Sequence, residues 1–252
     1  MSGLLFTGDL YIDRLTDAGA KAGFLGKLNG VKLTITHPEP DKRERISKMR
    51  DSFGQALDTV NLPKPPELEI SVDSQLPEIL AMALLGRVDS LTQGSGTVTD
   101  QAVTLIPGKW VQLGHRNIGD SGFGVATAAV PGTPLVLGED YEVDYAGGMI
   151  RAIVGGDITA ETACLVDYTY AAITGKRIQG GARPTLRCAI LLDGTNLATG
   201  ESGRLEIDNA TLSPANGVDL LSGEFVVTEL KGTMSIQSGQ DAPYRFDLYT
   251  AS

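Results

Sequence analysis

The 252-residue sequence is poor in the side chains that carry chemistry. It has two histidines, His37 and His115, two cysteines, Cys164 and Cys188, and a single tryptophan, Trp110. Isolated histidines and separated cysteines give no ligand spacing for zinc. Each cysteine falls inside an apolar predicted strand, so buried free thiols are expected, with a bridge between neighbouring strands as the alternative. The string Gly119-Asp120-Ser121-Gly122 matches the surroundings of the trypsin-type nucleophile. A serine there needs a histidine base and an orienting acid, and neither histidine has the right setting, so a turn using Asp120 and Gly122 is expected. No Gly-rich loop followed by lysine is present to cradle a phosphate. The expectation is a protein without enzymatic activity or cofactor.

Positive charge is short as well, with 21 Lys and Arg against 31 Asp and Glu and a formal net charge of -10. Affinity for a polyphosphate comes largely from Lys and Arg displacing counterions, which speaks against independent nucleic-acid binding but not against a protein past which DNA slides. No stretch of about 18 apolar residues offers a membrane span, and MSGLLFTGDLYIDRL lacks the basic start and apolar run of a secretory signal. A cytoplasmic site of synthesis is expected.

What the chain does have is glycine, 31 of them, and 12 prolines between short alternating segments, a composition that speaks for strands joined by tight turns. We expect a mainly β fold, a β-sandwich or barrel-like subunit, built as one domain over 1–252. Strands are predicted at Leu4–Asp13, Val31–Thr36, Val98–Ile106, Lys109–Leu113, Leu135–Leu137, Tyr141–Tyr145, Met149–Ile153, Thr162–Ala171, Thr185–Leu192, Leu205–Thr211, Glu224–Leu230, Thr233–Gln237 and Tyr244–Tyr249. Pro107-Gly108 is expected to turn a hairpin between the third and fourth of these, placing Trp110 in the core or an interface. Gly147-Gly148 and Asp193-Gly194 supply turns that need positive φ, and Gly114–Thr133 reads as loop with room for one strand.

The sharpest local signal is GQALDTVNLPKPPELEISVDSQLPEILAMALLG, Gly54 to Gly86. Leu68, Ile70 and Val72 alternate with Glu67, Glu69 and Ser71, the period of a half-buried strand. A helix over about 76–85 follows, with Pro77 at its first position, Glu78 at its positive end and Gly86 as a left-handed stop. Leu76, Ile79, Leu80, Met82, Leu84 and Leu85 leave it almost no polar face, so it must be covered on all sides. Either it is sunk inside one domain, or its outer side, Leu76, Ile79, Met82 and Leu85, meets another subunit.

The only dense charge cluster, HPEPDKRERISKMRDS, opens a segment over about 37–61 with Lys42, Arg43, Arg45, Lys48 and Arg50 among four acids. Ile46, Met49, Phe53, Leu57 and Val60 recur at helical spacing, while Gly54 and the strand-like Asp58-Thr59-Val60 favour a projecting hairpin or mobile arm. A solvated surface loop is the remaining reading.

GQALDTV, PKPPELEISVD, the helix ending in LAMALLG and TPLVLGEDYEVDYAGGMIRAI (Thr133 to Ile153) together resemble the major tail tube proteins of long-tailed, siphovirus-like bacteriophages. The resemblance implies a tail tube fold assembling into hexameric rings that stack into a DNA-conducting tube. It also implies residence in the virion after assembly in the host cytoplasm, with tape-measure, tail-terminator and distal tail proteins as partners and no membrane. Tail tube proteins carry a long insertion that becomes ordered when one ring stacks on the next, which gives Lys42, Arg43, Arg45, Lys48, Arg50 and Phe53 an expected role as an inter-ring stacking arm.

Asp140, Glu142 and Asp144 share one face of a predicted strand and could hold Ca²⁺ if a loop added carbonyl oxygens. In a tube they could instead join Glu67, Glu69, Glu206 and Asp208 in lining the lumen, where carboxylates repel passing phosphates; as ordinary wet-face residues they need no role. The rivals are a contractile-injection tube or baseplate hub protein of the same fold, a soluble ligand-binding β-sandwich module, and a hydrolase built on Ser121.

Overall fold

The computed structural model describes residues 3–129 and 131–250. In chain order the first strands are β1 (Phe6–Arg14), β2 (Leu25–Leu28), β3 (Gly30–Thr36), β4 (Asp41–Ile46), β5 (Ala56–Leu62) and β6 (Glu67–Val72). The helix α1 (Pro77–Ala83) follows, then β7 (Arg87–Gln93), β8 (Gly96–Leu105), β9 (Trp110–Gln112), β10 (Gly124–Thr127), β11 (Tyr141–Asp144) and β12 (Met149–Ala152). The remaining strands are β13 (Thr162–Tyr170), β14 (Ile173–Gln179), β15 (Leu186–Asn196), β16 (Ser202–Pro214), β17 (Thr228–Met234) and β18 (Arg245–Tyr249). The fold is mainly β and sandwich-like, and no sheet among the described residues closes into a barrel.

Where the sequence is read as one undivided domain, the backbone forms two compact units. Unit 1 takes the residues up to Val88 and from Ile178 onward; unit 2 is the continuous segment Asp89–Arg177. Strands β7 and β14, which pair with each other, carry the chain out of unit 1 and back.

Unit 1 is built on an eight-stranded antiparallel sheet in the order β2-β1-β15-β16-β17-β6-β3, with β18 on the free half of β16. The period-two pattern of its strands sends Leu10, Ile12, Leu68, Ile70, Ile190 and Ile207 to one face, where they form a continuous core. The helix covers that face. Pro77 occupies its first turn and Glu78 its positive end as expected, and Ile79 and Met82 are fully buried in the same core as Leu230 and Met234. The residue that turns left-handed at its end is Leu85 (φ 47°), not Gly86. Glycine is needed at 86 for a different reason: a Cβ there would stand 2.6 Å from the Gln179 carbonyl oxygen.

Unit 2 holds two three-stranded antiparallel sheets, β10-β13-β8 and β11-β12-β9, around a second core of Leu105, Ile150, Ala152, Cys164, Val166 and Tyr168. Gly148 (φ 68°) makes the turn between β11 and β12 as its sequence predicts.

Several expectations are corrected. Pro107-Gly108 does turn the chain, but β8 and β9 are not a hairpin: β8 pairs β13 and β9 pairs β12, with the Gly108 N–H donating to the Ala152 carbonyl. Trp110 is exposed and lies under the Arg151 guanidinium, 4.9 Å from the ring centre, so it fills no core. Asp193-Gly194 is no turn but the middle of β15, where Gly194 faces Gly8 and a Cβ would lie 2.8 Å from the Phe6 ring. The two strands expected at Glu224–Leu230 and Thr233–Gln237 are one, β17. Leu135–Leu137 reaches only isolated bridges at its flanks, Pro134 to Ala126 and Leu137 to Tyr141. Within the Gly114–Thr133 stretch the one strand is β10, and Val130 lies outside the described residues.

Because Ile79 and Met82 fill the core while Leu76 is exposed, Ile79→Ala or Met82→Ala is expected to cost about 2–5 kcal/mol through transfer and cavity terms. Leu76→Ser should stay within about 0.5 kcal/mol. Urea unfolding monitored by circular dichroism separates the two classes, and equal losses at all three positions would contradict this packing.

Candidate assembly surface

Residues 37–61 settle into a hairpin. β4 and β5 pair antiparallel, Lys42 with Asn61, Arg43 with Val60 and Arg45 with Asp58, and they touch no other strand. The helical spacing of Ile46, Met49, Phe53, Leu57 and Val60 is overridden by Gly54, which takes φ 84° in the bend. The bend is tied by Ser47, buried among exposed neighbours: its N–H donates to the Gln55 carbonyl, its carbonyl accepts from Gly54, and its hydroxyl meets that of Ser52 at 2.6 Å.

Proline explains why this hairpin is separate. β3 and β6 pair up to Thr36 opposite Glu67, and the chain could continue the same ladder into β4 and β5. Pro38 and Pro40 on one side, and Pro63, Pro65 and Pro66 on the other, remove the N–H groups that continuation would need. The arm therefore leaves the sheet as an independent ribbon.

All residues of β4 and β5 are exposed. Part of the charge is matched: Arg45 with Asp58 at 2.7 Å and Lys42 with Glu44 within the arm, and Asp41 with Lys64 just beyond it at 2.8 Å. Arg43 faces Val60, Lys48 and Arg50 belong to the bend, and Phe53 at its tip is 75% exposed. Ile46, Met49, Leu57, Val60 and Leu62 are exposed with it. An exposed two-stranded hairpin is marginally stable in water, and this one displays apolar side chains on a charged frame.

The helix residues expected to meet a neighbour divide. Ile79 and Met82 are enclosed by unit 1 itself, so they are removed from any intersubunit surface; a seven-residue helix laid on the sheet core turns its i, i+3 stripe inward. Leu85 is partly buried against the same core, and Leu76 and Leu84 are exposed.

The seven acidic candidates do not form one array. Glu69 pairs with Lys32 at 2.6 Å, Glu67 with Lys231 at 3.9 Å, Glu142 with Arg151, Glu206 with Arg204 and Arg245, and Asp208 with Lys21 at 2.7 Å and Arg245. The bond from Lys32 holds the Glu69 carboxyl below its usual range. Asp140 is buried and accepts N–H groups of Val136 and Asp157, both at 2.8 Å, which hold its carboxyl low. Asp144 accepts the Gly147 N–H at 3.0 Å. The expected common face of Asp140, Glu142 and Asp144 is therefore a loop clasp, an ion pair and a turn. Five of the seven carboxylates have a cation of the same subunit beside them, so they present balanced charge in place of a uniformly repelling surface.

Ser121 lies in an exposed turn with Gly122 at φ 76°. Both histidines are bonded to tyrosines: His37 Nε2 to the Tyr244 hydroxyl and His115 Nδ1 to the Tyr168 hydroxyl, each at 3.0 Å. Among the described residues no group of three or more His, Cys, Asp or Glu is gathered as a metal site.

Another exposed feature overlaps the start of the strand predicted at Glu224–Leu230, which the structure begins only at Thr228. The 216–226 loop joining β16 to β17 carries Leu220, Leu221 and Phe225, the last two 94% and 97% exposed. Leu-Leu and a phenylalanine within a Gly-, Ser- and Asp-containing turn break the alternation that would have drawn attention to them.

A family model described as "Protein of unknown function UCP028589" matches residues 4–242. A search of curated proteins finds no match.

Cys164 and Cys188 are free and buried. Burial raises both thiols, Cys188 from 9.0 to about 12, with Arg14 pulling weakly the other way. A thiol favoured in its neutral form stabilises the fold fully below its unfolded value near 9.0 and loses that contribution as pH rises toward about 12. Alkylation at about pH 8 is expected to label neither cysteine in the native chain and both in denaturant, and prompt native labelling of Cys188 would refute its burial.

Proposed function

We propose that this chain, which belongs to the UCP028589 family, is a structural virion protein: the tail tube subunit of a siphovirus-like phage, polymerising into stacked hexameric rings that conduct DNA. One observation carries the reading. The β4–β5 hairpin exposes every residue of both strands while displaying Ile46, Phe53, Val60 and Leu62. Such a hairpin is only marginally stable until it is covered, and several exposed apolar side chains on one element suit an interaction site.

The match of charges inside the arm supports a role in register. Ion pairs such as Arg45 with Asp58 keep the ribbon soluble and can exchange partners on contact, fixing orientation more than adding affinity. Open sheet edges support the in-plane contact. β3 and β2 end the large sheet of unit 1, and a heterologous contact between copies closes such edges into a ring. The charge of -10 and the paired acids suit a conduit past which DNA slides without being held. Tape-measure, tail-terminator and distal tail proteins are the partners such a tube implies.

Deleting Glu39–Asp51 should leave a folded chain, with the circular dichroism and unfolding midpoint of the intact protein, that forms no tubes in negative-stain micrographs where the intact chain does. Normal tubes from the deletion variant would overturn the assignment of the arm, and an intact chain that stays monomeric at all concentrations would overturn the function.

A further inference from the structure

Unit 1 carries a cleft of about 430 Å³ beside the C-terminal end of α1, within the roughly 300–1,000 Å³ range of protein binding pockets. Its lining combines an apolar floor, including Leu15, Leu25, Met82 and Val88, with three arginines, Arg14, Arg87 and Arg183, and three acids, Asp13, Asp17 and Glu78, of which Asp17 is ion-paired to Arg183. A second hollow of about 490 Å³ shares those arginines and adds Arg187, with Asp17 as its one acidic lining residue. In a chain of net charge -10 the second hollow, with four arginines against one acid, is a local excess of positive groups.

The helix explains part of it. The carbonyls left open at the end of α1 take partners from the returning chain: Leu84 accepts the Gly181 N–H and Leu85 the Arg183 N–H, each at 2.9 Å, and Gly86 accepts Arg14 Nη1 at 2.5 Å. Cations at this end also suit the helix dipole. That leaves two polar atoms unexplained. Asp13, fully buried, uses Oδ1 to accept the Ala22 N–H, but its Oδ2 is buried without a hydrogen-bond partner, as is Arg14 Nη2.

The 216–226 loop has the complementary composition. Leu220 and Leu221 are held out in solvent between Asp219 and Glu224, and Phe225 directly after Glu224. Its base is tied down: Asn216 Nδ2 donates to the Val227 carbonyl, and Gln75 Nε2, beside the exposed Leu76, donates to the Val226 carbonyl at 3.0 Å. It is an anchored projection with apolar tips and acidic flanks.

We propose that the 216–226 loop of one subunit docks in the arginine-rimmed cleft of a second copy of this chain, Leu221 and Phe225 entering the apolar floor and Asp219 and Glu224 meeting the rim. The proposal rests on the self-assembling reading above and specifies one of its contacts. Because loop and cleft are different surfaces, repeating the contact head to tail builds a ring or an open filament.

Two measurements test it. In sedimentation velocity, Leu221→Ser with Phe225→Ser should weaken self-association about tenfold or more, as should Arg183→Glu. Combining Arg183→Glu with Asp219→Arg and Glu224→Arg should restore it. Assembly of the Leu221→Ser/Phe225→Ser variant at wild-type concentrations overturns the inference while leaving the tube reading intact. The second measurement does not depend on assembly. A labelled peptide of residues 216–226 should bind the full-length Leu221→Ser/Phe225→Ser chain, whose own loop is disabled, and lose that binding when Arg183→Glu is added. No binding overturns the docking site even if tubes form. A bismaleimide bridge between Phe225→Cys and Val88→Cys should join two chains; a bridge confined within one chain would overturn the choice of a second copy as occupant.

Discussion

Unit 1 depends on how a very short helix covers a large sheet. Seven residues cannot supply a broad apolar face, so α1 places Ile79 and Met82 directly over Leu230, Met234 and the middle of the sheet and leaves Leu76 and Leu84 outside. Burying two such side chains contributes on the order of 1.5–3 kcal/mol each. That gain must also fix both ends of the helix, and the connections that do so recur throughout the unit. Gln75 ties the start of α1 to Thr228 and Val226. Arg14 and the 181–183 segment close its end. The anchored loop and the arginine-lined cleft are thus consequences of seating one helix, and the same constraint places them on different parts of unit 1.

Proline performs the corresponding task for the arm. In a β protein, excluded backbone donors decide where one sheet ends, and the prolines on either side of β4–β5 end the ladder of β3 and β6 at Thr36 and Glu67. The arm is then a ribbon with no face to bury inside its own subunit. Its solubility rests on cross-strand charge pairs, each worth only a fraction of a kcal/mol in water. The result is an element kept folded locally and available for burial elsewhere.

Much of the fold could be read from the chain because its signals were local. Alternation located β1, β3, β6, β8, β13 and β16, and Pro77 with the following apolar residues located α1. The failures were non-local. Gly194 looks like half of a turn until Phe6, nearly the whole chain away, is seen lying over it. Pro107-Gly108 turns the chain without joining β8 to β9: β9 pairs β12, with Val111 opposite Ile150, while β8 pairs β13. The candidate site was legible in the same uneven way. The arm announces itself by its charge cluster, whereas periodicity leaves open whether Ile79 and Met82 of an all-apolar helix face their own sheet or a neighbour; the structure puts both in the core of unit 1. The acidic residues were assigned together because a strand pattern gives a face but not the lysine or arginine opposite. Nothing local marks Arg14, Arg87 and Arg183 as neighbours, since they come from three distant stretches.

The interruption of unit 1 by unit 2 orders the events of synthesis. β1 finds its partner β15 only after some 180 further residues, as their register from Phe6–Asn196 to Arg14–Cys188 requires, while residues 89–177 are continuous and contain all the strands of their own two sheets. As the chain leaves the ribosome, the inserted unit can close first. β1 and β6 must each wait with one unpaired border for β15 and β17, in the last third of the polypeptide. A nascent chain stalled before β15 would therefore hold a finished insert on an unfinished host.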